Sequence, residues 1–299
     1  MIRVLVTGSR GQVGAEVARS LAARAEVIAH QRATLDLSHP DEIRASIRAA
    51  RPDVIVNAAA YTAVDRAETE RDLAQAVNGA APGVIAAEAK RAGALLVHYS
   101  TDYVFDGANL RPYAEGDAPH PLNVYGETKL AGERAIEASG AAYVILRTSW
   151  VYGPSGRNFL LTILAAAAKP ELRVVDDQRG APTSSLALAR ATVEILSTRG
   201  TGAIDAGSLA AAKERSGLYH ASARGETTWH GFAQAILERR ARRGDFRMPA
   251  LIAIPTREYP TPARRPANSM LSNAKLEAAF GVRLADWREG LDEVFSVLP

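Results

Sequence analysis

Five times within its first 150 residues the chain sets a short aliphatic run against a longer, alanine-rich stretch at helical spacing. Strands without polar alternation are buried on both faces, so the recurrence predicts a parallel sheet covered by helices on either side. Strands are expected at Arg3–Thr7 and at 27–29, 53–57, 95–100 and 143–147. Helices are expected at 12–23, at Pro40–Ala50, at 82–92 where Gly93 stops the run, and at 123–139 where Gly140 closes it. The implied class is α/β: a doubly wound parallel sheet, with residues 1–150 as a nucleotide-binding domain.

Beyond Trp150 the pattern loosens, and residues 151–299 read mainly as a smaller second lobe from which some segments return to the first. Helices are expected at 159–168, 184–197, 229–243 and Trp287–Val297, with strands at 173–175, 218–220 and 251–254. Prolines at 249, 255, 260, 262 and 266 predict an extended, loop-rich segment. Residues 198–217, rich in Gly, Ala and Ser, read as a mobile insertion with a short helix at 209–215.

The first strand runs straight into Gly8-Ser9-Arg10-Gly11-Gln12-Val13-Gly14 and then a helix. Such a turn brings backbone N–H groups close to a pyrophosphate at a helix N-terminus, where side chains would obstruct. The first glycine permits the tight turn, and the last lets helix and strand pack closely. Where many dinucleotide sites end the second strand with a carboxylate for the ribose 2′-hydroxyl, this chain has His30-Gln31-Arg32. With Gln31 and Arg32 there, and Arg10 nearby, nothing repels a 2′-phosphate, so NADPH is the expected cofactor. Asp36 and Leu37 are placed beside the adenine.

Tyr125-Gly126-Glu127-Thr128-Lys129 sets a phenol and an ammonium four residues apart, on one face of the predicted helix. Only five of the 36 basic residues are lysines, which makes this one stand out. A phenol that titrates near pH ~10 is a poor acid-base group at neutral pH, and an adjacent cation is expected to lower that value. The fourth strand ends in Ser100-Thr101-Asp102, with hydroxyls at the carboxyl edge where open α/β sheets bind ligands. Thr101 is a candidate donor to a substrate carbonyl, and Asp102 a candidate acceptor for a polar ligand group.

The remaining composition excludes much. There are no cysteines, so disulfides, thiolate metal sites and cysteine nucleophiles are ruled out. Net charge is +3, and the one dense basic run, Arg239, Arg240, Arg242 and Arg243 beside Asp245, reads as a solvated helix end rather than a nucleic-acid surface. The first residues enter a strand pattern without the leader of a signal peptide, and no apolar stretch is long enough to span a membrane. A cytoplasmic protein without nucleic-acid or membrane partners is expected.

Through residues 11–14, 57–65, 100–107, 123–129 and 147–152, continued at 180–183, 228–230 and 259–266, the chain resembles the extended short-chain dehydrogenase/reductase family. Within it, the similarity is to reductases of dTDP-linked 4-keto sugars. The resemblance implies a Rossmann-like lobe for NADPH (with NADH possible) and a smaller C-terminal lobe for the nucleotide sugar. The implied reaction is reduction at C4 of dTDP-4-dehydro-L-rhamnose. By the same resemblance Tyr125 is the proton donor, and Lys129 is its partner and the ligand of the nicotinamide ribose. Thr101 polarises the C4 carbonyl with Asp102 beside it on the sugar. Ala60, Tyr61 and Thr62 line the nicotinamide side, Trp150 lies against the sugar nucleotide, and Arg265, with Arg264 and Asn268 near, holds the ligand's pyrophosphate. Some members form magnesium-linked dimers through glutamates. Glu16 falls at one such position but reads as an ordinary solvated residue, so no essential metal is expected, and the chain is a monomer or homodimer. The rival readings are an epimerase or dehydratase of the same fold, which returns its hydride, and a non-catalytic subunit.

Overall fold

A computed structural model describes residues 1–198, 202–244 and 246–298. Five strands come from the first half: β1 (Arg3–Thr7), β2 (Glu26–His30), β3 (Val54–Asn57), β4 (Leu95–Thr101) and β5 (Ala142–Thr148). A sixth, Gly217–His220, returns from the second half to pair with β5. The sheet is parallel throughout, in the order β2-β1-β3-β4-β5 followed by Gly217–His220.

The connecting helices are α1 (Gln12–Leu21), α2 (Pro40–Ala50), α3 (Val64–Ala67), α4 (Arg71–Ala74), α5 (Ala81–Ala92) and α6 (Val124–Ser139). Alternate strand residues face opposite helical layers. Val4, Val6, Val54, Val56 and Val97 pack with Val17 and Leu21 of α1 and with Leu188 and Leu196 of the Ser185–Leu196 helix. Leu5, Ile55, Leu96 and Ile145 pack with Ile43 and Ile47 of α2, Ile85 of α5 and Ile136 of α6. The strand order reverses between β1 and β3, so a crevice opens at their carboxyl ends.

Three expectations are corrected here. The 198–217 segment, read as a mobile insertion, carries the helix Ala206–Glu214, started by a reciprocal cap between Asp205 and Ser208. Ile204, Leu209 and Ala212 are buried in the core, so the described part is a crossover helix leading to the sixth strand (residues 199–201 lie outside the described residues). Its small residues signal close packing rather than looseness. The stretch 64–80, to which no element was assigned, holds α3, α4 and a π-helical run, Gln75–Ala80. The basic run is more than a solvated helix end: Arg239 donates to Asp292 at 2.6 Å and Arg243 to the Phe295 carbonyl oxygen, tying two helices together. Asp245 lies outside the described residues.

A second core is aromatic. Tyr152, Phe232, Trp287 and Phe295 pack with Leu160, Ile236 and Leu291 among the helices Phe159–Ala166, Trp229–Ala241 and Trp287–Val297. A two-stranded parallel sheet, Glu171–Val175 with Ala250–Ile254, borders it. Among the described residues no helix is long and apolar enough to cross a membrane.

Candidate active site

The loops after β1, β3, β4 and β5 border one cleft of about 740 Å³ at the carboxyl end of the sheet. At one end lies the glycine turn. Gly8 takes φ +68, and a Cβ there would come within 2.8 Å of the Ala59 backbone; one at Gly14 would meet the Gly8 carbonyl oxygen at 2.2 Å. These glycines let the β1 turn, the β3 turn and α1 close on one another, which no side chain would allow. No side chain caps α1. Its first-turn amides therefore have no side-chain acceptor, and Gly11, Gln12 and Val13 line the cleft, an arrangement suited to binding an anion. This cradle fits a dinucleotide pyrophosphate.

Gln31, Arg32, Asp36 and Leu37 line the same end, with Arg10. Asp36 is occupied: Ser38 donates to it through N–H and hydroxyl at 2.9 and 2.8 Å, and Arg32 pairs with it at 3.5 Å. On the opposite wall Ala60, Tyr61 and Thr62 continue from β3. Asn78, in the π-helical run, accepts from the Tyr61 N–H at 2.8 Å and donates to the Tyr61 carbonyl at 3.0 Å and the Thr128 hydroxyl at 3.3 Å. One buried amide thus ties the β3 loop to α6.

The α6 helix starts at Asn123, whose side chain accepts from the Gly126 N–H at 2.9 Å. That start sets Tyr125 and Lys129 on the face turned to the cleft. The expectation that the ammonium lowers the phenol's value is overturned. Burial first, then the Asp102 carboxylate, push Tyr125 up to about 12, against a smaller downward pull from the Thr101 hydroxyl. Lys129 is turned instead to β4, donating to the Tyr99 carbonyl oxygen at 2.6 Å and lying 3.2 Å from His98 Nε2. Burial pulls its own value down to about 8, partly offset by Glu133.

At the end of β4 the Thr101 hydroxyl donates to Asp102 Oδ1 at 3.1 Å. Asp102 is 3% exposed, its Oδ2 has no partner, and burial pushes it up to about 6. A buried carboxylate oxygen without a partner at a cleft wall is suited to accept from a ligand hydroxyl. Trp150, after β5, takes φ +48, a left-handed conformation rare for a bulky side chain. It stacks on Trp229 at 3.6 Å and 9°.

Of the residues assigned from sequence to catalysis, cofactor or sugar, all but Gly14 and Arg265 line the cleft, and Arg264 and Asn268, named beside Arg265, do not line it either. Gly14 shapes it from behind. Arg265, assigned to the ligand's pyrophosphate, is not on its wall; its guanidinium is held by Asp65 Oδ2 at 3.0 Å and the Ala263 carbonyl at 2.7 Å. Glu16, read as solvated, is buried and paired with Arg19. Among the described residues no group of three or more His, Cys, Asp or Glu side chains gathers to hold a metal. Sequence reasoning missed Trp229, Arg157, Tyr103 and Ser149 as lining residues. Trp229 and Arg157 arrive from the second lobe; Trp229 falls within the 228–230 stretch of the resemblance, which assigns it no role, and no local motif includes Arg157.

The family model described as the RmlD substrate binding domain matches residues 2–298. A dTDP-4-dehydrorhamnose reductase of Burkholderia thailandensis is 47% identical, covering 96% of each chain, and one of Escherichia coli K12 is 43% identical, covering 99% of this chain and 98% of its own. Among solved structures, a dTDP-4-dehydrorhamnose reductase of Clostridium acetobutylicum aligns with a TM-score of 0.89 at 34% identity, covering 99% of each chain. The enzyme of the same name from Bacillus anthracis, solved in complex with NADP, aligns with a TM-score of 0.88 at 32% identity over 99% of each chain.

Proposed function

The chain belongs to the RmlD substrate-binding-domain family, and from that premise we propose that it reduces dTDP-4-dehydro-L-rhamnose to dTDP-L-rhamnose with NADPH. The observation that carries the reading is the convergence of Thr101, Tyr125 and Lys129 in a cleft that runs on to the glycine cradle. A carbonyl reduced there sits between proton donors and a dinucleotide site.

NADPH, when bound, supplies the hydride that adds to C4 of the sugar. The protein's own part is positioning and proton supply. The uncapped α1 amides hold the pyrophosphate, and Arg10 and Arg32 receive the 2′-phosphate. Thr101 donates to the carbonyl oxygen, and Tyr125 gives its proton to the alkoxide as it forms. A phenol held near 12 is fully protonated at neutral pH, so it stands loaded for the reductive direction. Lys129 keeps one N–H for the nicotinamide ribose while β4 engages the others.

Asp102 Oδ2 accepts from a sugar hydroxyl, and the Trp150 ring lies along the sugar's apolar face. Arg265 is a positioning residue under Tyr103: its positive charge acts on that phenol, and its guanidinium braces the 263–265 loop against Asp65. The first lobe, together with the strand Gly217–His220, serves the cofactor, and the aromatic second lobe receives the nucleotide sugar.

The test is NADPH oxidation with enzymatically made dTDP-4-dehydro-L-rhamnose, with UDP- and GDP-linked sugars as controls. Stoichiometric NADPH consumption with the dTDP sugar alone is expected. Turnover without net NADPH loss would assign an epimerase instead, and no turnover on any nucleotide sugar a non-catalytic subunit.

A further inference from the structure

One buried titratable group in the site has no part in the chemistry above. His98, in β4, is fully buried directly behind Lys129. Cross-strand register sets Thr7, Asn57 and His98 side by side on β1, β3 and β4. Their side chains form a continuous chain. The Thr7 hydroxyl lies 2.6 Å from Asn57 Oδ1, the Asn57 amide 3.0 Å from His98 Nδ1, and His98 Nε2 3.2 Å from Lys129 Nζ. The Ala59 N–H reaches the same Thr7 hydroxyl at 3.4 Å, so the chain runs from the cofactor-side loop after β3 to the catalytic helix.

An ammonium has three N–H donors and no acceptor. The Tyr99 carbonyl takes one, at 2.6 Å, and the His98 ring stands where a second points. Burial, then the charge of Lys129, pull His98 well below its ordinary value, so the ring stays neutral. The charged groups around the pair are Glu133, one turn along α6, and Arg147, which clamps Glu133.

We propose that His98 is a positioning residue for Lys129, its Nε2 accepting one ammonium N–H so that, with Tyr99 oxygen, a single donor remains aimed at the cofactor ribose. The inference rests on the reading of Lys129 as the ribose ligand. It requires the ring proton on Nδ1 and the Asn57 amide oxygen turned toward it. As placed, Asn57 presents Nδ2 to the ring; a 180° turn exchanges two atoms of nearly equal size and gives the required orientation, with the amide N–H then reaching Thr7.

The test is steady-state kinetics of the full chain with NADPH and the dTDP sugar. In His98→Leu the KM for NADPH is expected to rise about tenfold, the loss of one hydrogen bond to a charged group, while the sugar KM stays put. His98→Gln, whose amide oxygen reaches the Nε2 position, restores it to within about threefold. In a Lys129→Met background His98→Leu adds nothing to the NADPH KM. A purely structural His98 would lower Tm without this split or rescue. In the unsubstituted protein, long-range nitrogen-15 spectra of the histidines should show His98 protonated on Nδ1 and its Nε2 resonance moving when NADPH is added. An unchanged NADPH KM in folded His98→Leu, an equal further loss in the Lys129→Met background, or a proton resident on Nε2 each overturns the proposal. If Lys129→Met itself binds and turns over NADPH normally, it is the reading of Lys129 that fails.

Discussion

Lys129 and Glu133 occupy successive turns of α6, and both are 2% exposed or less. Glu133 is fully matched: Arg147 donates to it twice, at 2.9 and 2.6 Å, and the Ser100 hydroxyl donates to it as well. Lys129 has only neutral acceptors, a backbone carbonyl and an imidazole. Asp102, at the end of β4, is alike in this: the Thr101 hydroxyl donates to one oxygen, and the other has no hydrogen-bond partner. A charge that serves the fold has its partner built in. The two charges proposed to serve the reaction are left short of one, at a cost in stability that the apolar layers of the sheet offset.

Breaking the matched pair should cost most. Arg147→Met strands a buried carboxylate and is expected to destabilise the chain by about 3–5 kcal/mol. The double variant with Glu133→Gln should recover most of it, read from denaturant unfolding. A loss below ~1 kcal/mol for Arg147→Met would place this pair with the weak surface ones.

Lys129→Met should act in the opposite sense on stability. Its folded value of about 8 lies below the ordinary value near ~10.4, so the unfolded chain holds the proton more tightly. Stability of the unsubstituted protein therefore rises as pH climbs from about 8 toward ~10.4, and at pH 7 the charged lysine costs about 3 kcal/mol. Lys129→Met should remove that pH slope and raise Tm at neutral pH, while kcat/KM falls by roughly 10²-fold or more.

Asp102→Asn tests the same contrast at the end of β4. Its folded value of about 6 lies above the ordinary one, so the folded protein binds the proton more tightly and loses stability as pH rises from about 4 to 6. The variant should flatten that slope, gain up to about 3 kcal/mol at pH 7, and raise the sugar KM roughly tenfold. Differential scanning calorimetry across pH 4–8, with kinetics, reads both.

The smallest effect belongs to an exposed pairing. Arg173, whose side chain is 55% exposed and pairs with Glu258, itself 42% exposed, should change stability by no more than ~0.5 kcal/mol when replaced by alanine.

The same contrast governs what was legible in the sequence. Tyr125 and Lys129 are four residues apart on one helix, so local periodicity alone put them on one face. Gly8 to Gly14 were legible because a strand, a turn and a helix follow one another directly. The polar row Thr7, Asn57, His98 was not, because it depends on how three strands separated by dozens of residues register against one another. The place of Trp229 in the cleft was not legible for the same reason: only second-lobe packing stacks it on Trp150. Arg265 is assigned to a phosphate from sequence because a guanidinium in a phosphate-binding protein invites one, whereas the structure pairs it with Asp65, 200 residues away. The upward push on Tyr125 comes from burial and Asp102, neither of which the Tyr-x-x-x-Lys spacing contains.

Tyr125 is proposed to deliver the proton in a reduction driven by NADPH. The most direct measurement is single-turnover NADPH oxidation by Tyr125→Phe with dTDP-4-dehydro-L-rhamnose, alongside NADPH affinity by fluorescence titration. A rate lowered by about 10²–10⁴-fold with NADPH affinity essentially unchanged is expected. A near-normal rate in the phenylalanine variant would contradict it.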